Sequence, residues 1–180
     1  MSKTKKLYLI ASLGAFVGIV ASFWQLLDKL ELLKNPAAPL SCNISGTFNC
    51  THVLGVWQSS VFGFPNSIMC LVFFSVFFTA AVAGLWGSRL SRGYGLAIQG
   101  LALFMTAFGL LYMTEVIYFV GAVCIFCLVC IGGLLVANAA WFRINFADMP
   151  GKKIKNIKGL DIFIWLSITI YLAASIIFKL

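Results

Sequence analysis

The chain has 180 residues, of which 62% are apolar, 15% aromatic and only 10% charged, with a net charge of +8. A soluble domain typically carries about 25% charged residues, so this composition excludes one and reads as an all-α integral membrane protein. At roughly 20 residues per crossing, five spans take up about 100 residues and leave no length for a separate soluble domain. The positive charge therefore points to loop orientation before it points to nucleic acid.

The first predicted span, 7–27, follows the basic tail Lys3, Lys5 and Lys6. It is longer than a signal core of about 7–15 residues, and Ala21-Ser22-Phe23 before Trp24 is a poor cleavage site, so it is expected to stay as a helix. Residues 28–60 form the one long exoplasmic segment, where Asn35-Pro36-Ala37-Ala38-Pro39 forbids a regular helix. Within it, 28–33 reads either as a short piece on the membrane surface or as the frayed end of the first helix. Further spans are expected at 61–86, 94–119, 122–142 and 161–178, the last forming a fifth transmembrane helix beyond a basic loop at 143–160. Glu115 is the only charged side chain between Tyr94 and Phe142, a stretch too long for one crossing. The chain must therefore reverse near Gly121.

Lys and Arg in short loops tend to stay cytoplasmic. Lys3, Lys5, Lys6, Arg89, Arg92, Arg143, Lys152, Lys153, Lys155 and Lys158 fall on one side, ten residues against Lys29, Lys34 and Lys179 on the other. The N-terminus is then cytoplasmic and the C-terminus exoplasmic.

That orientation gathers the cysteines of interest on one side. Cys42 and Cys50 share the exoplasmic loop, where an oxidising compartment lets close cysteines join, as a redox pair or as a purely structural staple. Cys124 and Cys127 form a C-x-x-C at the start of the fourth span. Residues three apart share a helix face, and a helix N-terminus favours thiolate over thiol; buried thiols acting as small apolar groups are the plainer reading. Zinc would need two more ligands, and His52 is the only histidine, so no metal is expected. His52 either tunes Cys50 or is a solvated loop residue.

Taken together, a mobile polar pair facing a fixed pair at the lipid boundary suits an electron relay through mixed disulfides, with Cys50–Cys124 as the natural intermediate and Cys127 left to reduce a membrane-dissolved acceptor. A quinone is the simplest such acceptor. Its headgroup needs an aromatic slot and a few polar anchors, for which Asn66, Pro65, Ser59, Ser60, Glu115, Tyr112 and Tyr118 stand near the right depth. An ionisable group within a span is commonly functional, although Glu115 also fits a headgroup position with no role. Cys70 and Cys130 lie deeper and read as packing residues.

Cys42 and Cys50, then Val53, then Phe62-Gly63-Phe64-Pro65-Asn66-Ser67-Ile68, and finally Cys124-Ile125-Phe126-Cys127 resemble the vitamin K epoxide reductase family over about residues 7–142. The resemblance implies a four-helix bundle around a quinone of the ubiquinone or menaquinone class, capped by the loop. By it, Cys42 and Cys50 are the shuttle pair, Cys124 is the partner of Cys50, Cys127 faces the quinone, and Asn66 hydrogen-bonds it, with Phe62 of the same motif at the site. Two departures stand out: Val56 occupies the place of a family serine, for which Ser59 or Ser60 would substitute if the loop is rearranged, and Ile131 that of a tyrosine of the mammalian branch. Both favour disulfide formation coupled to quinone reduction over epoxide reduction. The fifth span is similar to bacterial members, in which it often leads into a fused thioredoxin-like domain. The chain stops at Leu180, so a separate thioredoxin-like periplasmic protein is expected as electron donor. Asn43-Ile44-Ser45 and Asn49-Cys50-Thr51 are glycosylation patterns, and a glycan there would obstruct exchange, which favours a bacterial inner membrane over an endoplasmic reticulum membrane. A disulfide-stapled, non-enzymatic membrane protein is the rival reading from a different class.

Overall fold

A computed structural model describes residues 2–88, 90–146 and 154–179. Arg89, Lys152 and Lys153, on which part of the charge argument rests, lie outside the described residues, as do the side chains of Lys155, Lys158 and Lys179.

Ser2 opens α1 (Lys3–Lys34) by accepting the Lys5 amide on its Oγ at 3.3 Å, satisfying one of the orphan donors of the first turn. The chain's first proline ends the helix. A residue before proline is pushed out of the helical region, and Asn35, at φ −137°, ψ 98°, donates its last helical bond to Glu31 O at 2.8 Å. At 32 residues the helix is about 48 Å long, against a hydrocarbon core of about 30 Å. Residues 28–33 are thus the closing turns of one continuous helix and not a separate surface piece.

Residues 35–65 fold as a cap containing α2 (Cys50–Gly55) and a 3-10 turn, Trp57–Ser60. The next long helix, α3 (Asn66–Leu85), begins five residues later than the hydropathy suggests. Gly63 takes a left-handed φ of 80°, and Pro65 then fixes the chain in extended geometry directly before the helix, so the apolar residues 61–64 belong to the cap. Ser91 caps α4 (Arg92–Glu115), which widens into a π turn, Val116–Val120, and stops at Gly121 with φ 71°. A side chain there would be strained, and the reversal falls where the lack of charge requires it. Two more helices follow, α5 (Ile125–Phe146) and α6 (Ile154–Lys179).

Four helices, α1, α3, α4 with its π turn, and α5, are long and apolar enough to cross a membrane. The apolar stretch of α6 among the described residues, Ile164–Phe178, is shorter. It rests on the bundle through the buried Leu172 and Ser175, with Tyr171 OH 3.3 Å from Thr114 Oγ1.

α1 is the axle of the bundle, packing on both α5 and α3. Gly14 and Gly133 let α1 and α5 meet backbone to backbone: a Cβ on Gly133 would stand 2.7 Å from Gly14 O, and one on Gly14 3.0 Å from Gly133 O. At one pole the start of α1 meets the end of α5, with Tyr8 edge-on to Trp141 and Tyr8 over Gly84 of α3, while Trp141 Nε1 and Asn145 Nδ2 each donate to Gly95 O at 3.0 Å. The basic starts of α1 and α4 and Arg143 near the end of α5 belong to this pole. The cap and the four cysteines occupy the other.

Candidate functional site

The cap is registered against the bundle by backbone hydrogen bonds. Val123 N–H donates to Thr47 O at 2.7 Å and Asn49 N–H to Val123 O at 3.1 Å, a parallel bridge between Phe48 and Val123. Asn49 then caps α2, accepting the His52 amide on Oδ1 at 3.1 Å. The bridge therefore fixes Cys50, first residue of α2, beside Cys124, the residue before α5. Their sulfurs lie 3.3 Å apart. Cys42 and Cys50 form a disulfide, with Cα atoms 5.8 Å apart, while Cys124 and Cys127 are free thiols. None of the four is more than 5% exposed, so the cap shields the disulfide from solvent.

One face of α1 reads the cysteines in order. Ser22 Oγ lies 3.4 Å from Cys130 Sγ, Gln25 Nε2 donates to Cys127 Sγ at 3.0 Å, and Asp28 Oδ2 is 3.2 Å from Cys42 Sγ. One residue on, the buried Lys29 donates from Nζ to Leu54 O at 2.5 Å and Ser59 Oγ at 2.8 Å, closing the cap onto the helix. Asp28, Cys42 and Cys50 bring three ligand-type atoms within 4.8 Å of one another. With the two sulfurs joined, that group has no thiolate to offer a metal.

Below the thiols lies a cavity of about 50 Å³, with Gln25, Asn66, Ser67, Tyr112, Cys127 and Cys70 among its lining residues, and Phe73, Phe74 and Phe108 among its apolar walls. Of the anchors read from sequence, Asn66 and Tyr112 are brought here with Cys127. Asn66 is also committed to the cap: its Nδ2 donates to Gln58 O at 2.7 Å and its Oδ1 accepts the Val61 amide at 3.3 Å. Phe62 stands one layer back, its ring 5.9 Å from that of Phe108. Pro65 sits at the head of α3 outside the lining. Ser59 is outside the cavity lining, its Oγ lying 2.8 Å from Leu54 O and 2.7 Å from Val56 O, either of which can take its single hydrogen, while it accepts the Lys29 bond, so that it works as a hub of the cap. Ser60 is not in the lining either, and Glu115 and Tyr118 face outward from the end of α4. The late start of α3 keeps 59–65 in the cap, and Glu115 and Tyr118 lie on the exposed side, so these residues stand apart from the thiols. His52 is exposed.

The residues missed in the sequence are Gln25 and Ser22. Their signal was present, since two polar side chains three apart in an apolar span share a face and need partners.

The family model described as the vitamin K epoxide reductase family matches residues 9–142. The chain belongs to that family. No curated protein compared with the chain matches it. Membership in the vitamin K epoxide reductase family makes the chain a multi-pass membrane oxidoreductase of thiols and disulfides, of a kind linked in general to quinones and thioredoxin-like partners. Ile131, where the mammalian branch of the family has tyrosine, lines the cavity and presents no hydroxyl to it.

Proposed function

We propose that the chain oxidises a separate thioredoxin-like dithiol protein on the periplasmic side of a bacterial inner membrane and passes the electrons to a quinone of the ubiquinone or menaquinone class. The observation that carries this reading is the 3.3 Å separation of Cys50 and Cys124 Sγ, which joins the two pairs without movement of the helices. A partner thiolate attacks the Cys42–Cys50 disulfide, and the second partner thiol resolves the mixed disulfide, leaving the partner oxidised and Cys42 and Cys50 reduced. Cys50 thiolate then attacks Cys124 of a Cys124–Cys127 disulfide. The Cys50–Cys124 bond forms, the Cys124–Cys127 bond breaks, and its electron pair stays on Cys127 as thiolate. Attack of Cys42 on Cys50 restores the loop disulfide and frees Cys124. Re-forming the Cys124–Cys127 disulfide delivers two electrons, with two protons, to quinone as hydroquinone. The described state, loop disulfide closed and Cys124 and Cys127 free, is the one poised for that last step.

The compartment is supported by the cap itself. Both glycosylation-pattern asparagines are used within it: Asn43 donates to Thr51 Oγ1 at 2.8 Å and accepts the Thr51 amide at 3.1 Å, and Asn49 caps α2. A glycan on Asn43 would take the place of a hydrogen on the Nδ2 that holds Thr51 Oγ1, and one on Asn49 would stand next to Cys50. Orientation is supported by the basic pole opposite the cysteines, and α6 is read as the fifth crossing, with the C-terminus periplasmic.

Purified protein supplied with a reduced thioredoxin-like protein and defined quinones tests the reading. Cys127→Ala should abolish quinone reduction and let a Cys50–Cys124 disulfide accumulate in non-reducing peptide maps. Unchanged turnover in that variant would sink the relay.

A further inference from the structure

A buried amide in an apolar span must find a hydrogen-bond partner. Gln25, only 6% exposed, spends its Nε2–H on Cys127 Sγ at 3.0 Å and not on a carbonyl. A neutral thiol sulfur is a weak acceptor, whereas bonds to an ionised acceptor are about twice as strong as neutral ones. The contact is therefore worth most at the moment Cys127 carries negative charge. Gln25 also lines the cavity beside Cys127, so its donor is aimed from the same side as the acceptor's space.

We propose that Gln25 is a catalytic residue that stabilises the Cys127 thiolate. The inference rests on the reading of Cys127 as the cysteine that passes electrons onward. When Cys50 attacks Cys124 and the Cys124–Cys127 bond breaks, the pair left on Cys127 Sγ arrives in a site walled by Phe73, Phe74, Met105 and Ile131. Those walls offer the charge no hydrogen bond, and it is met by the Gln25 N–H already placed on that sulfur. This is the logic of a preorganised donor placed where charge develops. It costs no rearrangement in the reaction. The neighbouring contact of Ser22 with Cys130, 3.4 Å long and open to donation from either group, lies on a sulfur that the relay does not use, so Cys130 supplies an internal control.

The test is the rate at which N-ethylmaleimide alkylates Cys127 in the intact protein at neutral pH, measured by mass spectrometry alongside Cys70 and Cys130. Gln25→Met keeps the length of the side chain and removes the donor, and Gln25→Leu removes the donor with a different shape. Hydrogen bonds to charged groups supply about tenfold or more in such ratios. Both variants should therefore alkylate Cys127 about tenfold more slowly, with Cys70 and Cys130 unchanged, and should lose quinone turnover in the same proportion. A wild-type rate at Cys127 in Gln25→Met, with only Gln25→Leu altered, would reduce Gln25 to a space-filler and overturn the proposal. Quinone turnover of the unmodified protein is read in the same samples: its absence overturns the relay reading, whereas an unaltered Cys127 rate in Gln25→Met overturns the role of Gln25 alone.

Discussion

α1 and α5 meet in two different ways along one interface. Towards the basic pole they touch backbone to backbone, with Gly14 and Gly18 against Gly133 and the Phe74 ring filling the space over Gly18. Towards the cap they meet through side chains, Ser22 to Cys130 and Gln25 to Cys127. The first kind of contact has no room for an added carbon and carries no chemistry. The second is made of polar side chains on sulfur, and only its Gln25–Cys127 member touches a thiol of the C-x-x-C pair. The glycine crossing holds α1 and α5 together about two turns from the thiols.

The comparison breaks most visibly if each half is damaged separately. Cys127→Ala should remove quinone turnover altogether in protein that still folds, with unfolding in detergent lowered by about 1–3 kcal/mol because the buried Gln25 amide loses its acceptor. Gly133→Val should act through stability alone. Its Cβ alone would stand 2.7 Å from Gly14 O, a backbone atom that cannot turn aside, and overpacking of this kind costs about 1–3 kcal/mol. Turnover should then fall only as far as the folded fraction does. A Gly133→Val protein that unfolds normally would show that the crossing has slack and that the cap end sets the helix spacing.

Much of this division was legible in the sequence. The apolar stretches, the turn at Gly121 and the order of loop pair, Phe-Gly-Phe-Pro and C-x-x-C are local signals, and a helix overlies each apolar stretch, though α1 runs on to Lys34 and the apolar part of α6 is shorter than the other four. The late start of α3 was the exception, because a hydropathy window does not register that Gly63 and Pro65 break the chain while Phe62 and Phe64 keep it apolar. The site was less legible than the fold. Gln25 and Cys127 are 102 residues apart, and Ser22 and Cys130 are 108 apart, so only the packing of α1 on α5 reveals them as pairs. Ser59 looked like a cavity anchor by depth alone; its actual partners, Lys29 and two cap carbonyls, depend on α1 running on past the bilayer to Lys34.

That extension makes the smallest effect the most informative one. Lys29 is 8% exposed and holds Leu54 O and Ser59 Oγ, so its loss removes two charge-assisted bonds but also the penalty of burying an ammonium. Leu54 O has the Ser59 hydroxyl at 2.8 Å as an alternative donor once the ammonium is gone. Lys29→Met should therefore shift global unfolding by no more than about 1 kcal/mol. Local opening is another matter, because regions open with free energies well below the global one when few contacts restrain them. With Cys42 and Cys50 at 3% and 0% exposure, reduction of their disulfide by a water-soluble dithiol reports how often the cap lifts. The rate should rise in Lys29→Met by about tenfold, the worth of one such bond, while Cys127→Ala leaves it unchanged. An unaltered rate would mean that the Thr47–Val123–Asn49 bridge, and not α1, keeps the cap shut. The cap-end contacts of α1 would then serve the thiols alone.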